Sequence, residues 1–135
     1  MYKHILIPVI FDDGHDTQAS FLAAKALADE STKFTVIHVI EAIPPYVVSQ
    51  IPAEVLAKSR RSIEKSLEQS ARALPNAQTE LATGHPGVVI VDYAKDHDVD
   101  CIVMASHKPG FENLFLGSTA DRVVRHARCS VHVIR

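Results

Sequence analysis

The amino-acid sequence predicts an α/β protein: a three-layer α/β/α sandwich built on a five-stranded parallel sheet in the order 3-2-1-4-5. Three observations carry this. Apolar, β-branched runs alternate with stretches of helical periodicity along the chain, giving β-α-β-α-β-α-β-α-β. The first and fourth apolar runs are nearly unbroken, as strands covered on both faces must be. Right-handed crossovers then leave few topologies, and those two strands are the natural centre. With 135 residues, 47% of them hydrophobic, one domain over residues 1–135 with a sizeable core is expected.

Each element has its own justification. Tyr2 to Val9 carries Ile5, Leu6, Ile7 and Val9 and reads as a buried strand. Asp16 or Thr17 then caps a helix whose apolar positions are Ala19, Leu22, Ala23, Ala26 and Leu27. Phe34 to Ile40 is β-branched and strand-like. Pro44-Pro45 enforces a loop. From about Pro52 to Leu74 runs a long amphipathic helix with Leu56, Ile63, Leu67 and Leu74 on one side. Thr79 to Thr83 reads as the third strand. Gly84-His85-Pro86 turns the chain, with Pro86 at the first position of a helix that runs to His97. Val99 to Ala105 is the fourth strand, Ser118 to Ala127 the last helix, and Ser130 to Ile134 the last strand.

Composition narrows the function. Fourteen Lys and Arg against sixteen Asp and Glu give a formal charge of −2, which argues against nucleic acid or an anionic membrane as the main partner. No apolar run approaches the ~20 residues of a membrane helix. The first eight residues end too early in Pro8 to suit a signal peptide. Two cysteines make no disulfide framework, so a reduced, cytoplasmic setting is expected. There is no Gly-x-Gly-x-x-Gly after the first strand, no Gly-x4-Gly-Lys-Ser/Thr and no Gly-x-Ser-x-Gly, which disfavours dinucleotide, P-loop and hydrolase chemistry.

With the order 3-2-1-4-5 the chain reverses across the sheet between strands one and four. Ligands of open α/β sheets sit at such a point, beyond the carboxyl ends of the strands. The loops Pro8–Asp13 and Ser106–Ser118 are therefore the candidates. In the second, Ser118-Thr119-Ala120-Asp121 has the form of a capping box with Asp in place of Glu. Gly117 permits close approach of a ligand to the backbone, and the amides of Ser118 and Thr119 open a helix, where an anion is favoured. Hydroxyls of Ser106, Ser118 and Thr119 can donate to phosphate, and Lys108 adds a positive charge. The first loop offers Phe11-Asp12-Asp13, whose carboxylates repel phosphate, so it suits the nucleoside end.

At this point the chain resembles the universal stress protein family. The residues that carry the resemblance are Val123-Val124-Arg125-His126-Ala127-Arg128-Cys129-Ser130-Val131, the opening Lys3-His4-Ile5-Leu6-Ile7-Pro8-Val9, Ile37-His38-Val39, and Gly84-His85-Pro86. The Ser106-His107-Lys108-Pro109 form is similar to the F- and G-type branch. The resemblance implies an adenine nucleotide α-hydrolase-like fold, a stress-response or regulatory role, a homodimer, and ATP, ADP or AMP as ligand. It places adenine and ribose contacts at Pro8, Val9, Ile10 and Val39, and phosphate contacts at Ala105, Ser106, His107, Lys108, Gly117, Ser118 and Thr119. The family's Gly-x2-Gly-x9-Gly-Ser/Thr loop has Ala105 and Lys108 in place of its first two glycines and is one residue shorter here. Its usual Asp after Pro-Val is Ile10. These substitutions motivate the alternative, a nucleotide-free homodimeric adaptor of the same fold.

The remaining residues weigh less. Eight histidines show neither H-x3-H nor C-x2-C spacing, so no protein metal site is expected, whereas a Mg²⁺ bridging phosphates needs few protein ligands. His107 has no visible nucleophile partner, so at most slow ATP turnover is expected. Cys101 and Cys129 begin neighbouring strands, which leaves room for them to be near one another, and two free, mostly buried thiols are expected. Val131 and Val133 mark the last strand as an apolar edge where a second copy can add its own.

Overall fold

The computed structural model describes residues 1–11, 17–106 and 116–135. Ten elements follow in order: β1 (His4–Pro8), α1 (Thr17–Ala26), β2 (Lys33–Ile40), α2 (Pro45–Val48), α3 (Ala53–Ala71), β3 (Ala77–Thr83), α4 (Pro86–Asp96), β4 (Cys101–Ala105), α5 (Ser118–His126) and β5 (Ser130–Ile134). The five strands form one parallel sheet in the order β3-β2-β1-β4-β5.

Both faces of the centre are buried, which is why its strands are continuously apolar. Alternate residues point to opposite faces of a strand. Ile5 and Ile7 of β1 therefore join Phe21 and Ala24 of α1 and Leu67 and Ala71 of α3 in one core. Leu6 points the other way, to Ile90 and Ala94 of α4 and Ala120 and Val123 of α5. Each fully buried aliphatic side chain contributes roughly 1.5–3 kcal/mol. No helix among the described residues is long and apolar enough to cross a membrane.

Several boundaries move. β4 begins at Cys101 rather than Val99, and just before it the Asp100 carboxylate accepts from the backbone amides of Lys3 (2.8 Å) and His4 (2.9 Å). Pro44-Pro45 does not simply make a loop: Pro45 occupies the first position of the one-turn α2, where a missing N–H costs nothing. Thr17 is already helical and so is not the cap of α1, while Asp16 lies outside the described residues. In α3 Leu67 and Ala71 are buried, Leu56 and Ile63 only partly, and Leu74 packs from beyond the helix end. β3 starts two residues earlier than expected, at Ala77, because its ladder with β2 begins at Phe34↔Ala77. Pro86 opens α4 as expected, behind His85 as its cap. Gly84 sits at φ +146°, and a Cβ there would approach Val89 Cγ2 to 3.0 Å.

The two thiols are free, as expected, with Cys101 buried and Cys129 partly buried. Cys101 belongs to the core under α1 and α3, whereas Cys129 packs against the core under α4 and α5. They flank the same pair of strands on opposite faces of the sheet, and both are free.

Candidate functional site

The sheet opens between β1 and β4, and one proline explains why. Along β1 the odd residues bond to β2: the Lys33 amide donates to the Lys3 carbonyl and the Val9 amide to the Ile37 carbonyl, both at 2.9 Å. The even residues face β4, as the Asp100 amide does in donating to the His4 carbonyl at 3.1 Å. The β1–β4 ladder comprises Ile5↔Cys101 and Leu6↔Ile102. The next residue facing β4 is Pro8, which has no N–H to continue it. Beyond that point the strands part, and a cavity of about 470 Å³ opens at their carboxyl ends. That lies within the roughly 300–1,000 Å³ typical of small-molecule sites.

The β2 wall is also left open. Odd residues of β2 face β1, as Lys33 and Ile37 do, and even residues face β3, since Gly84 donates to the Ile40 carbonyl at 2.9 Å. Val39 is next in the odd series, on the side that β1 has left. Neither its amide nor its carbonyl has a hydrogen-bond partner among the described residues. The Val9 carbonyl instead accepts from His38 Nδ1 at 2.8 Å. Phe11 packs its ring 5.1 Å from that imidazole.

The opposite wall is the amino end of α5. Ser106 is buried; its amide donates to the Ile134 carbonyl at 2.9 Å, and its carbonyl accepts from Gly117 at 2.8 Å. The chain that departs after β4 is thus pinned where it leaves and where it returns. The expected capping box is not formed. Gly117, not Ser118, is the cap, with φ −62° and ψ 157°, and no side chain caps the helix. Ser118 is already helical, and the Asp121 amide donates to the Gly117 carbonyl at 2.8 Å. The Asp121 carboxylate turns outward to Arg125 Nε at 3.0 and 3.1 Å. Removing the side-chain cap leaves the first amides of α5, with the positive end of its dipole, to the cavity rim.

Of the residues singled out in the sequence, Pro8, Val9, Ile10, Val39, Ala105, Ser106, Gly117, Ser118 and Thr119 all line this cavity. His107 and Lys108 lie outside the described residues, as do Asp12 and Asp13. Sequence reasoning missed Thr17 and Ser20 of α1, His38 and Glu41, and the apolar floor of Ile63, Pro86, Ile90 and Met104. Ser20 carried a usable signal, being a hydroxyl that follows the apolar Ala19 and precedes Phe21 on a helix that must pack; it is 2% exposed. Ile63 gave none beyond its helical spacing, since its place at the site depends on where α3 crosses the sheet.

A parallel, doubly wound sheet with a cavity at its switch point and an uncapped helix amino end on the rim defines the class of α/β proteins that bind ligands at that crevice. Within it, the universal stress protein family matches residues 1–135, and the chain belongs to that family. A universal stress protein of Methanocaldococcus jannaschii is 30% identical over 150 aligned residues, covering all of this chain and 83% of its own. The structure of UspA from Lactobacillus plantarum is 31% identical with a TM-score of 0.72, covering 99% of this chain and 98% of that one. A universal stress protein family member from Arabidopsis thaliana, solved with AMP bound, shares the fold with a TM-score of 0.64 at 18% identity, covering 98% and 90%.

Proposed function

We propose that this protein binds an adenine nucleotide, ATP, ADP or AMP, as a regulatory protein of the stress response. The observation that carries the reading is the pairing of two open backbone edges across one cavity. On one wall the Val39 amide and carbonyl offer a donor beside an acceptor. That pair is complementary to N1 and the 6-amino group of adenine. On the other wall, the amides of Ser118 and Thr119 and the dipole of α5 favour phosphate. Base and ribose would lie against Pro8, Val9, Ile10 and Val39. The phosphates would lie toward Ala105, Ser106, Gly117, Ser118 and Thr119, with His107 and Lys108 following in the same loop.

Among the described residues no group of three or more His, Cys, Asp or Glu could hold a metal ion. A Mg²⁺ bridging phosphates would need few protein ligands. The AMP complex of the Arabidopsis relative supports the ligand class. Two free thiols on opposite faces of the sheet fit a reducing, cytoplasmic setting. β5 is an edge strand with Val131 and Val133 only half-buried, which supports a homodimer formed strand to strand. A Val131→Lys variant that dimerises unchanged would exclude that interface.

Calorimetric titration with ATP, adenosine and Mg²⁺ tests the binding reading. Lys108→Glu should weaken ATP more than adenosine, and Gly117→Val should weaken ATP. Absence of binding at millimolar ATP would defeat the proposal in favour of the nucleotide-free adaptor.

A further inference from the structure

One half-buried histidine at this cavity is not needed for any contact assigned above. His38 Nδ1 lies 2.8 Å from the Val9 carbonyl oxygen. A carbonyl only accepts, so Nδ1 is the donor of this bond.

What matters is which acceptor the ring has taken. In a regular parallel ladder the rung after Val9 N–H to Ile37 C=O runs from the Val39 amide to the Val9 carbonyl. Here that rung is not made, and the carbonyl bonds the residue next to Val39 instead. The Phe11 ring lies against the imidazole, tilted 42° with centroids 5.1 Å apart. A polar backbone pair left unbonded is costly unless something else satisfies it, so a device that keeps it open is a feature of the site.

We infer that His38 is a positioning residue: by holding the Val9 carbonyl, its ring stops the β1–β2 ladder one rung short and keeps the Val39 amide and carbonyl open to the edge of a ligand. The ladder break is independent of what binds. That the ligand edge is adenine rests on the nucleotide reading above.

Backbone amide exchange, followed by nuclear magnetic resonance on the ¹⁵N-labelled full chain, reads the break without any ligand. The Val39 amide should exchange on the order of a hundredfold faster than the ladder-bonded Ile37 amide. In His38→Phe, which keeps an aromatic ring and removes the donor, Val39 should become protected. Affinity for ATP and for adenosine should then fall by the same factor, roughly tenfold, the loss of one ligand hydrogen bond. Binding of inorganic tripolyphosphate should not change. His38→Asn, whose amide nitrogen lies near the Nδ1 position, should restore fast exchange at Val39 and restore affinity. Slow exchange at Val39 in the wild type overturns the inference, as does fast exchange in both wild type and His38→Phe. Should His38→Phe not fold, His38→Asn and His38→Leu decide by the same comparison. If Val39 responds as expected but no variant binds nucleotide, His38 keeps its role and the nucleotide reading falls.

Discussion

Val123 offers the sharpest test of how α5 is held. Of the nine residues of α5, Ala120 and Val123 are the buried ones, and Val123 is fully so. It packs against the face of the sheet formed by Leu6, Ile102 and Met104. Val124, one residue on, is 46% exposed. Val123→Ala removes two carbons, about 1.6 kcal/mol of transfer free energy at ~0.8 per methylene. If half to all of the ~50 Å³ left behind stays empty, a cavity term of about 0.6–1.2 kcal/mol is added. The total is about 2–3 kcal/mol. At ~2.1 cal/mol/K per residue, the chain of 135 residues unfolds with an entropy of roughly 0.3 kcal/mol/K, so Tm should drop by about 7–10 °C. Val124→Ala is the control, since it deletes the same atoms from a solvent-facing position and should stay within ~0.5 kcal/mol of wild type. Urea titration with a common m-value measures both. Equal losses for the two variants, or a loss below ~1 kcal/mol for Val123→Ala, would refute the claim that Val123 anchors α5 on the sheet.

Three further outcomes are expected. Pro8→Ala supplies the N–H that β1 lacks toward β4, so ATP affinity should drop several-fold while the fold is kept; titration calorimetry showing unchanged affinity would break the account of the gap. His4 is buried between the His97 carbonyl (3.0 Å) and the Thr35 hydroxyl (2.8 Å), and burial holds its imidazole below the ordinary 6.5, partly offset by the bond to the His97 carbonyl. The unfolded chain then binds the extra proton first, so this contribution is complete above pH 6.5 and shrinks as pH falls from 6.5 toward the folded value. Urea stability should decline across that window, and a His4 resonance titrating above 6.5 would contradict it. Burial pushes the Cys101 thiol up to about 11 and raises Cys129 as well, yet only Cys101 is fully enclosed. A thiol reagent at pH 8 should label native Cys129 and reach Cys101 only on unfolding, as peptide mapping by mass spectrometry would read directly.

Fold class, strand order and the end of the sheet at which a cavity opens are all legible in the amino-acid sequence. Unbroken apolar runs such as Ile5-Leu6-Ile7 demand cover on both faces, and alternating helices supply it, so the topology is written in the period of hydrophobicity. Part of the cavity's lining was legible for the same reason: Pro8, Val39, Ser106 and Gly117 stand at strand or helix ends, which local pattern locates. What local pattern misjudged was hydrogen bonding that depends on a neighbour. The Ser118–Asp121 capping box fails because Gly117 is the cap and Arg125 holds the Asp121 carboxylate. Tertiary packing alone brings Ile63 of α3 and Ile90 of α4, from opposite faces of the sheet, to the lining of one cavity, and gives the Val9 carbonyl to His38 rather than to Val39. Registers and crossings of that kind are set by the packing of residues far apart in the chain, and no window of sequence contains them.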